Sequence, residues 1–386
     1  MSWSTVRADQ FCTLITDGTH DSPKPQQSGW KLITSKHLKG HYIDFDSANW
    51  ISEADYLKVI SRSAVEQWDI LFSMIGTIGN IYLEKNSHVE YACKNMGIFK
   101  FSGNKENALW MYYYLKSPQA KAYIQTHLRG STQAYVPLGG LREMPVPVPP
   151  QSVRNEIIAV LRPIDEKIEC NNAINDNLQQ QAAALFSSLY DRSNTEVRFT
   201  DLIQILGGGT PKTGENTYWN GNIAFFTPKD VGTPYTLITE KTISKEGLSH
   251  CNSRLYPVNT VFVTARGTVG KVGMSGVPMA MNQSCYALVG KETHQLLVYF
   301  YTLKAVDRLK HKASGAVFDA ITTRDFESEQ IMKLSDDDAT AFLRVAEPMF
   351  QEVLNNNIEI LRLSTLRDSL LPKLMSGEID VSAVQL

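Results

Sequence analysis

The sequence lacks the features of a secreted, membrane-bound or disulfide-bonded protein. Its five cysteines are scattered and never form a Cys-x-x-Cys pair, so neither a disulfide framework nor a zinc site is expected. No apolar run approaches the ~18 residues that a membrane helix needs. No basic segment followed by an apolar stretch stands at the N-terminus. These absences predict a cytoplasmic protein.

Motifs of common nucleotide-dependent enzymes are also missing. The string closest to a phosphate-binding P-loop, residues 265–272, lacks the first glycine and the hydroxyl residue that should follow the lysine. No Gly-x-Gly-x-x-Gly motif opens a helix, and no Asn-Pro-Pro-Tyr or Asn-Pro-Pro-Phe sequence of the amino-methyltransferase type occurs. The histidines fall in no metal-ligand spacing. We therefore expect neither catalysis nor a metal on this chain.

Charge of one sign is not in excess. The chain has 38 Lys and Arg against 40 Asp and Glu, a formal net charge of -2. A nucleic-acid partner would therefore have to be bound by local basic patches. The length of 386 residues, with 43% hydrophobic residues, predicts at least two domains with real cores.

What the sequence does contain is an internal repeat. Gly18-Thr19 recurs as Gly209-Thr210, and residues 32–36 recur as residues 225–229. The segment 69–79 recurs as 260–270, and both copies have the pattern of a buried strand followed by a glycine turn. The chain is therefore one module written twice.

A long helix is predicted after each module, because apolar or small residues recur at alternating spacings of three and four. In the first helix these are Leu161, Ile164, Ile168, Asn171, Asn175, Leu178, Ala182, Leu185 and Leu189. Adding 185 to each position gives the same frame in the second helix: Ala346, Met349, Val353, Asn356, Ile360, Leu363, Arg367, Leu370 and Leu374. Asn171 and Asn356 share one heptad position, where a polar residue fixes register. The alternative is that each helix packs only on its own module.

These patterns predict an α/β (mixed α+β) fold with two globular modules and two long helices. The helices are expected to form an antiparallel coiled coil, and the repeat to give an approximate two-fold relation. The predicted segments are residues 1–150 for the first module, 151–192 for the first helix, 193–335 for the second module, 336–378 for the second helix and 379–386 for a tail.

The motifs resemble those of the DNA-specificity subunit of Type I restriction-modification enzymes. Residues 17–23, 206–212, 215–223 and 227–230 look like the openings of that family's target-recognition domains, and residues 366–379 are similar to its distal spacer helix. The resemblance implies two target-recognition domains, with helices that dock two modification (methyltransferase) subunits, and a further restriction and translocase subunit. S-adenosylmethionine and ATP with Mg²⁺ would then belong to those partners, and this chain would bind no cofactor.

DNA contacts are expected from polar and basic side chains in the loops. The candidates in the first module are Thr19, His20, Lys24, Lys36, Thr77, Arg129, Ser131 and Gln133. Those in the second are Thr210, Lys212, Lys229, Arg266, Thr268, Lys271 and Arg324, with the segment Ser314–Phe318. The alternative is that the glycines and threonines only shape turns and that the lysines are solvated. For Asn95 and Asn282 a turn role is favoured, and for Tyr218 and Trp219 a place in the core.

The sequence thus predicts a protein that binds a two-part, asymmetric duplex DNA site. Helices of 35 to 40 residues would be ~55 Å long, which suits a spacer between two half-sites about one helical turn apart. The competing interpretation is a protein–protein scaffold whose coil is a dimer seam. Salt-dependent DNA binding would distinguish the two.

Overall fold

The computed structural model describes residues 3–40, 42–232, 234–312 and 320–381. The chain divides into two compact units. The first comprises residues 1–169 and 363–386, and the second comprises residues 170–362. Each unit therefore contains one module together with parts of both long helices, α6 (Gln151–Asp191) and α11 (Asp336–Ser376). The consecutive segments expected from the sequence remain a prediction.

The first module is built from short strands and helices. Its elements are β1 (Ser4–Arg7), α1 (Ala8–Phe11), β2 (Leu14–Asp17), β3 (Trp30–Ile33), β4 (Asn49–Ile51), α2 (Glu53–Ser63), β5 (Ile70–Ser73), β6 (Ile81–Leu83), β7 (Tyr91–Cys93), β8 (Met96–Lys100), α3 (Lys105–Lys116), α4 (Pro118–Thr126), α5 (Leu138–Glu143) and β9 (Pro145–Val148). They form a four-stranded sheet in the order β2-β8-β5-β6, a three-stranded sheet β4-β3-β7 and the pair β1-β9.

The second module repeats this plan after α6. Its elements are β10 (Thr195–Arg198), α7 (Phe199–Leu202), β11 (Ile203–Gly207), β12 (Trp219–Phe226), β13 (Tyr235–Thr236), β14 (Lys241–Ile243), α8 (Lys245–Ser249), β15 (Val261–Thr264), β16 (Val272–Ser275), β17 (Met279–Met281), β18 (Cys285–Gly290), α9 (Gln295–Lys312), α10 (Thr323–Ser328) and β19 (Gln330–Lys333). The sheets are β11-β18-β15-β16-β13, β14-β12-β17 and β10-β19. The predicted mixed fold with an internal repeat is confirmed.

Corresponding strands also pair in corresponding ways. The central strands β5 and β15 are buried along their whole length and pair antiparallel with β8 and β18. In the three-stranded sheets, β3 pairs parallel with β7 and β12 pairs parallel with β17. The short runs of apolar and β-branched residues in β5 and β15 suit strands covered on both faces. The glycine turn follows this central strand in both modules.

The two long helices pack on each other, as the heptad pattern predicted. Most of the predicted seam positions in α6 and α11 are buried, and the remainder are half-buried. In the second unit Asn171 donates to Glu359 (2.7 Å) and Asn356 donates to Asn175 (3.0 Å). The contacted residue in α11 moves back from 359 to 356 as α6 advances from 171 to 175, which makes the pair antiparallel. The alternative of two helices packing separately is wrong.

The duplicated asparagines do not contact each other. Asn171 is fully buried and Asn356 is 5% exposed, but their hydrogen bonds run to different partners in the facing helix. Asn175, also buried, adds a bond to Asn357 (3.0 Å). The second unit thus has a cluster of buried amides in an otherwise apolar seam, an arrangement that penalises a shifted register. Their role in register remains a prediction.

In the first unit, a buried ion cluster joins the module to both helices. Asp165 of α6 lies 2.8 Å from Arg367 of α11 and 3.1 Å from Lys116 of α3. Burial alone would raise the pKa of Asp165, but the two cations lower it below the usual value. The carboxylate is therefore held ionised between three helices.

The second unit has apolar residues at the same positions. In the heptad frame, Phe350 corresponds to Asp165 and Ala182 to Arg367. Both are buried, and Phe350 packs on Phe300 with ring centroids 5.5 Å apart. Because Tyr112-Tyr113-Tyr114 matches Tyr299-Phe300-Tyr301, Lys116 corresponds to Leu303. At these positions the first unit therefore packs its module on the helices through an ion cluster, whereas the second unit does so through aromatic packing.

Removing one partner of the ion cluster should destabilise the first unit. We expect Arg367→Ala to lower the free energy of unfolding by roughly 3 kcal/mol, since it leaves a buried carboxylate with one cation. Urea unfolding of the full chain measures this change.

A matched triple variant tests the cause. Lys116→Leu, Asp165→Phe and Arg367→Ala together copy the residues of the second unit, and an apolar replacement of a buried ion pair is often neutral or stabilising. We expect it to recover most of the stability lost in the single variant. A single variant as stable as the wild type would contradict the role assigned to the cluster.

Candidate nucleic-acid interface

Four loops come together in the first module. They are the first loop (residues 17–24), the lysine turn (34–37), the glycine turn (75–79) and the closing loop (129–135). Main-chain bonds join them: the amide of Thr19 donates to Cys93, that of Lys94 to Ile33 and that of Val136 to Met74, at 2.8 to 2.9 Å. Polar segments far apart in sequence thus share one surface.

A glycine fixes the first loop of the first module against β7. A Cβ at Gly18 would lie 2.3 Å from the carbonyl oxygen of Cys93, so only glycine allows this approach. His20 then lies between Asn95 (Nδ1 to Oδ1, 2.8 Å) and Asp17 (Nε2 to Oδ2, 2.9 Å). Because both ring nitrogens are engaged, His20 orders the loop in this arrangement. A base contact by His20 remains a prediction.

Arg62 contacts this loop, although the sequence did not reveal it as part of the site. It extends from α2 to the Asp17 carboxylate (3.3 Å) and to the carbonyl oxygen of Gly18 (3.1 Å). The corresponding helix of the second module, α8, is only five residues long. The comparison of the two repeats therefore gave Arg62 no counterpart that would have identified it as a site residue.

The first loop of the second module (residues 208–212) has the same close approach. A Cβ at Gly208 would lie 2.1 Å from the carbonyl oxygen of Asn282. Thr210 donates to Gln283, and Asn282 accepts from the amide of Ser284 (3.0 Å). Asn282 thus has the turn role favoured from the sequence. Lys212 is exposed at the end of the loop.

The predicted aromatic residues of this region pack against protein. The indole of Trp219 donates to the carbonyl of Lys212 (3.1 Å), and its ring meets Phe225 edge-on at 5.5 Å. Tyr218 stacks on His250 at 4.9 Å. Both side chains are half-buried, so they support the loop.

The glycine turns are tied to the lysine turns by the same hydrogen bond in both modules. Thr77 donates to the carbonyl of Ser35 (3.5 Å), and Thr268 donates to the carbonyl of Pro228 (3.2 Å). The two hydroxyls therefore stabilise the turns. In the second module this contact borders a groove of about 450 Å³ that is also lined by Lys229 and Asn282.

Both lysines of the lysine turns are exposed. Lys229 lies 3.5 Å from Glu240, and both side chains are more than half exposed, so this ion pair is weak and can be exchanged for a phosphate contact. Lys36 is exposed on the corresponding turn of the first module.

The closing loop of the first module is anchored beside the glycine turn by a main-chain hydrogen bond, and Ile321 makes the corresponding bond in the second module. The amide of Val136 donates to the carbonyl of Met74 (2.9 Å), and that of Ile321 donates to the carbonyl of Ala265 (3.0 Å). Val136 and Ile321 are buried. In the first module the loop is also closed by a reciprocal main-chain pair between Arg129 and Tyr135. The anchors are thus equivalent, although the loop sequences differ.

The predicted DNA-contacting residues are almost all accessible. Thr19 and Thr210 are half-buried, and all the others, including Lys24, Ser131, Gln133, Lys271 and Arg324, are exposed. Arg324 lies on α10, next to the anchor of the second closing loop. The predicted segment Ser314–Phe318 lies outside the described residues. The assignment of individual side chains to bases or phosphates remains a prediction.

Two kinds of feature are absent from the part of the chain that the structure describes. Within it, no three His, Cys, Asp or Glu side chains converge on a possible metal position. None of its helices has the length and apolar character needed to cross a membrane.

The family follows from comparison with known proteins. Residues 3–180 and 192–333 match the family described as Type I restriction modification DNA specificity domain. The two matches together cover more than half of the chain, which therefore belongs to this family. One match covers each duplicated module, the first extending into α6, and the resemblance noted from the sequence is confirmed.

Individual relatives agree with this assignment. The Type I restriction enzyme HindI specificity subunit of Haemophilus influenzae is 22% identical, covering 85% of this chain and 90% of that protein. The EcoR124I/EcoR124II specificity subunit of Escherichia coli is 26% identical over 51% of each chain. The crystal structure of a Type I restriction-modification S subunit from M. genitalium has the same fold, with a TM-score of 0.58, 14% identity and coverage of 97% of this chain and 96% of that one.

The close approach at Gly208 can be tested by adding a single methyl group. We expect Gly208→Ala to destabilise the second unit by about 1 to 3 kcal/mol, because the new Cβ overlaps the main chain at Asn282. The change is measured as the urea concentration at half-unfolding of the full chain. Gly207→Ala is the matched control, since a Cβ there meets nothing within 4 Å. Equal effects of the two substitutions would contradict the packing role.

Proposed function

We propose that this chain is the DNA-recognition subunit of a Type I restriction-modification complex and that it binds a bipartite, asymmetric site. The observation that carries the proposal is one loop scaffold present twice with different side chains. His20 of the first module is replaced by Pro211 in the second, and Ile75 by Arg266. Two modules that place different side chains on the same frame suit two different half-sites.

The paired helices supply the separation of the half-sites in this proposal. A helix rises 1.5 Å per residue, so the 41 residues of α6 give it a length of about 60 Å. A seam with buried amides and a buried ion cluster resists sliding, which suits a spacer of constant length.

Catalysis belongs to partner subunits in this proposal. The relatives are specificity subunits of Type I restriction enzymes, which supports an assembly with other subunits of such an enzyme. In this proposal the partners are two modification subunits together with restriction and translocase subunits. Adenine methylation with S-adenosylmethionine and translocation with ATP and Mg²⁺ would occur on those subunits. The chain itself would bind no cofactor and would act in the cytoplasm.

The spacer hypothesis predicts a change in the recognised sequence. Removing one heptad from each helix, in facing stretches, shortens the seam by about 10 Å, which corresponds to about 3 base pairs. We expect the spacer in the methylated target to become shorter by that amount, as measured by sequencing methylated DNA from cells that express the complete system.

A deletion in only one helix is the control for this experiment. It leaves the facing seam positions unmatched and should abolish recognition. A functional double deletion with an unchanged spacer would rule out the helices as the spacer.

The purified chain should not transfer methyl groups. Incubation with labelled S-adenosylmethionine and duplex DNA is expected to give no labelled DNA, and addition of the modification subunits should restore labelling. Transfer by the chain alone would contradict the proposed division of labour.

A further inference from the structure

A lysine of α9 lies against the glycine turn of the second module. A Cβ built on Gly270 would be 2.6 Å from Cε and 3.3 Å from Nζ of Lys310. The lysine stem therefore occupies space that exists only because residue 270 is a glycine. The long side chain reaches from the last turn of the helix to the turn at residues 266–271.

Lys310 differs from the other cations around it. Arg308 and Lys312 both contact the buried carboxylate of Glu329, and His311 lies 3.6 Å from Asp307. Within the described ranges, Lys310 makes neither an ion pair nor a hydrogen bond, and it is exposed. Its neighbours are thus held in structural contacts, whereas its ammonium group is available to an external anion.

Two further cations flank the same turn. Arg266 and Lys271 are exposed, and their side chains have no acidic partner among the residues that the structure describes. The main-chain amides of Gly267, Thr268 and Val269 likewise donate to no acceptor in that part of the chain. Successive amides beside unpaired cations form the kind of concavity that binds phosphate.

The first module lacks this arrangement. Ile75 and Asn80 stand where the second module has Arg266 and Lys271. A Cβ at Gly79, the counterpart of Gly270, would meet nothing within 4 Å, so among the described residues no side chain lies against Gly79 as Lys310 lies against Gly270. The two glycine turns share a backbone but differ in charge.

We propose that Lys310, with Arg266 and Lys271, binds a phosphate of the DNA backbone and that this contact belongs to the second module. The inference rests on the proposed DNA recognition. Since the chain has a net charge of -2, such a local patch is what holds a polyanion at this surface. Lys310 thereby positions the second module on its half-site without selecting a base.

The test compares Lys310→Ala with Lys304→Ala in the chain purified with its modification subunits. Lys304 is on the same helix, but its ammonium lies over the ring of Tyr190 at 5.1 Å. Binding to duplexes that carry the target, or a mismatch in either half, is measured over a series of salt concentrations.

Loss of one phosphate contact should reduce the slope of log K against log salt by about 0.9. For Lys310→Ala we expect this reduction, with an affinity loss of roughly 5-fold at ~0.1 M salt that is equal for all duplexes. Lys304→Ala should keep the wild-type slope, and Lys310→Arg should retain binding.

Three results would overturn the inference. A wild-type salt slope for Lys310→Ala, or an equal loss of affinity in Lys304→Ala, would contradict a phosphate contact by Lys310. Relaxed specificity at one base pair would make Lys310 a base-reading residue instead. A wild-type complex without salt-dependent binding would reject the proposed function itself. The other outcomes can be observed only when the wild-type complex binds DNA, so the two failures are distinguishable.

Discussion

Pairing of the two long helices is the constraint on which each unit depends. Each unit contains a segment of α6 and a segment of α11, so the core of each module is completed by residues distant in sequence. In the first unit Leu371, Leu374 and Met375 of α11 join the core formed by the module. In the second unit the core includes Phe186 of α6 and Phe342 of α11. Neither module is closed without both helices.

The two units solve the same packing problem with different chemistry. Asp165 is surrounded by Lys116 and Arg367, whereas Phe350 takes its place in the second unit among aromatic rings. A buried ion pair contributes little net stability compared with apolar residues, but it strongly penalises a wrong neighbour. The ion cluster of the first unit therefore favours the correct pairing of the helices, and the aromatic residues of the second unit add buried apolar surface.

The parts of the fold that depend on periodicity could be predicted from the sequence. The heptad frame identified the seam, and the match between residues 69–79 and 260–270 identified the central strands and glycine turns. The ion cluster could not be predicted, because Arg367 occupied a seam position and its partners lie far away in sequence. Strand β13 has no counterpart among the described residues of the first module, and α2 has eleven residues where its counterpart α8 has five, so the repeat gave little information on either element.

The candidate interface was predictable as a set of loops but less so as a set of roles. Thr77 and Thr268 were candidates for DNA contact, with shaping of the turn as the alternative, and their hydroxyls donate to main-chain carbonyls within the module. His20 is held by Asp17 of its own loop and by Asn95, which is distant in sequence. Lys310 comes from a helix that is longer than its counterpart α3, and only the three-dimensional fold brings it to Gly270. Proximity of this kind leaves no trace in residue spacing.

The docking of the closing loops has a consequence for how new specificities arise. The anchor is a peptide N–H that donates to a peptide carbonyl, from Val136 to Met74 in the first module and from Ile321 to Ala265 in the second. Such a bond does not depend on which side chains the two residues carry. Point mutations in the loop can therefore change its exposed surface while the attachment persists. Selection can explore new targets in one module without risking its fold, and can leave the other module untouched. The scaffold can therefore hold loops of many different sequences.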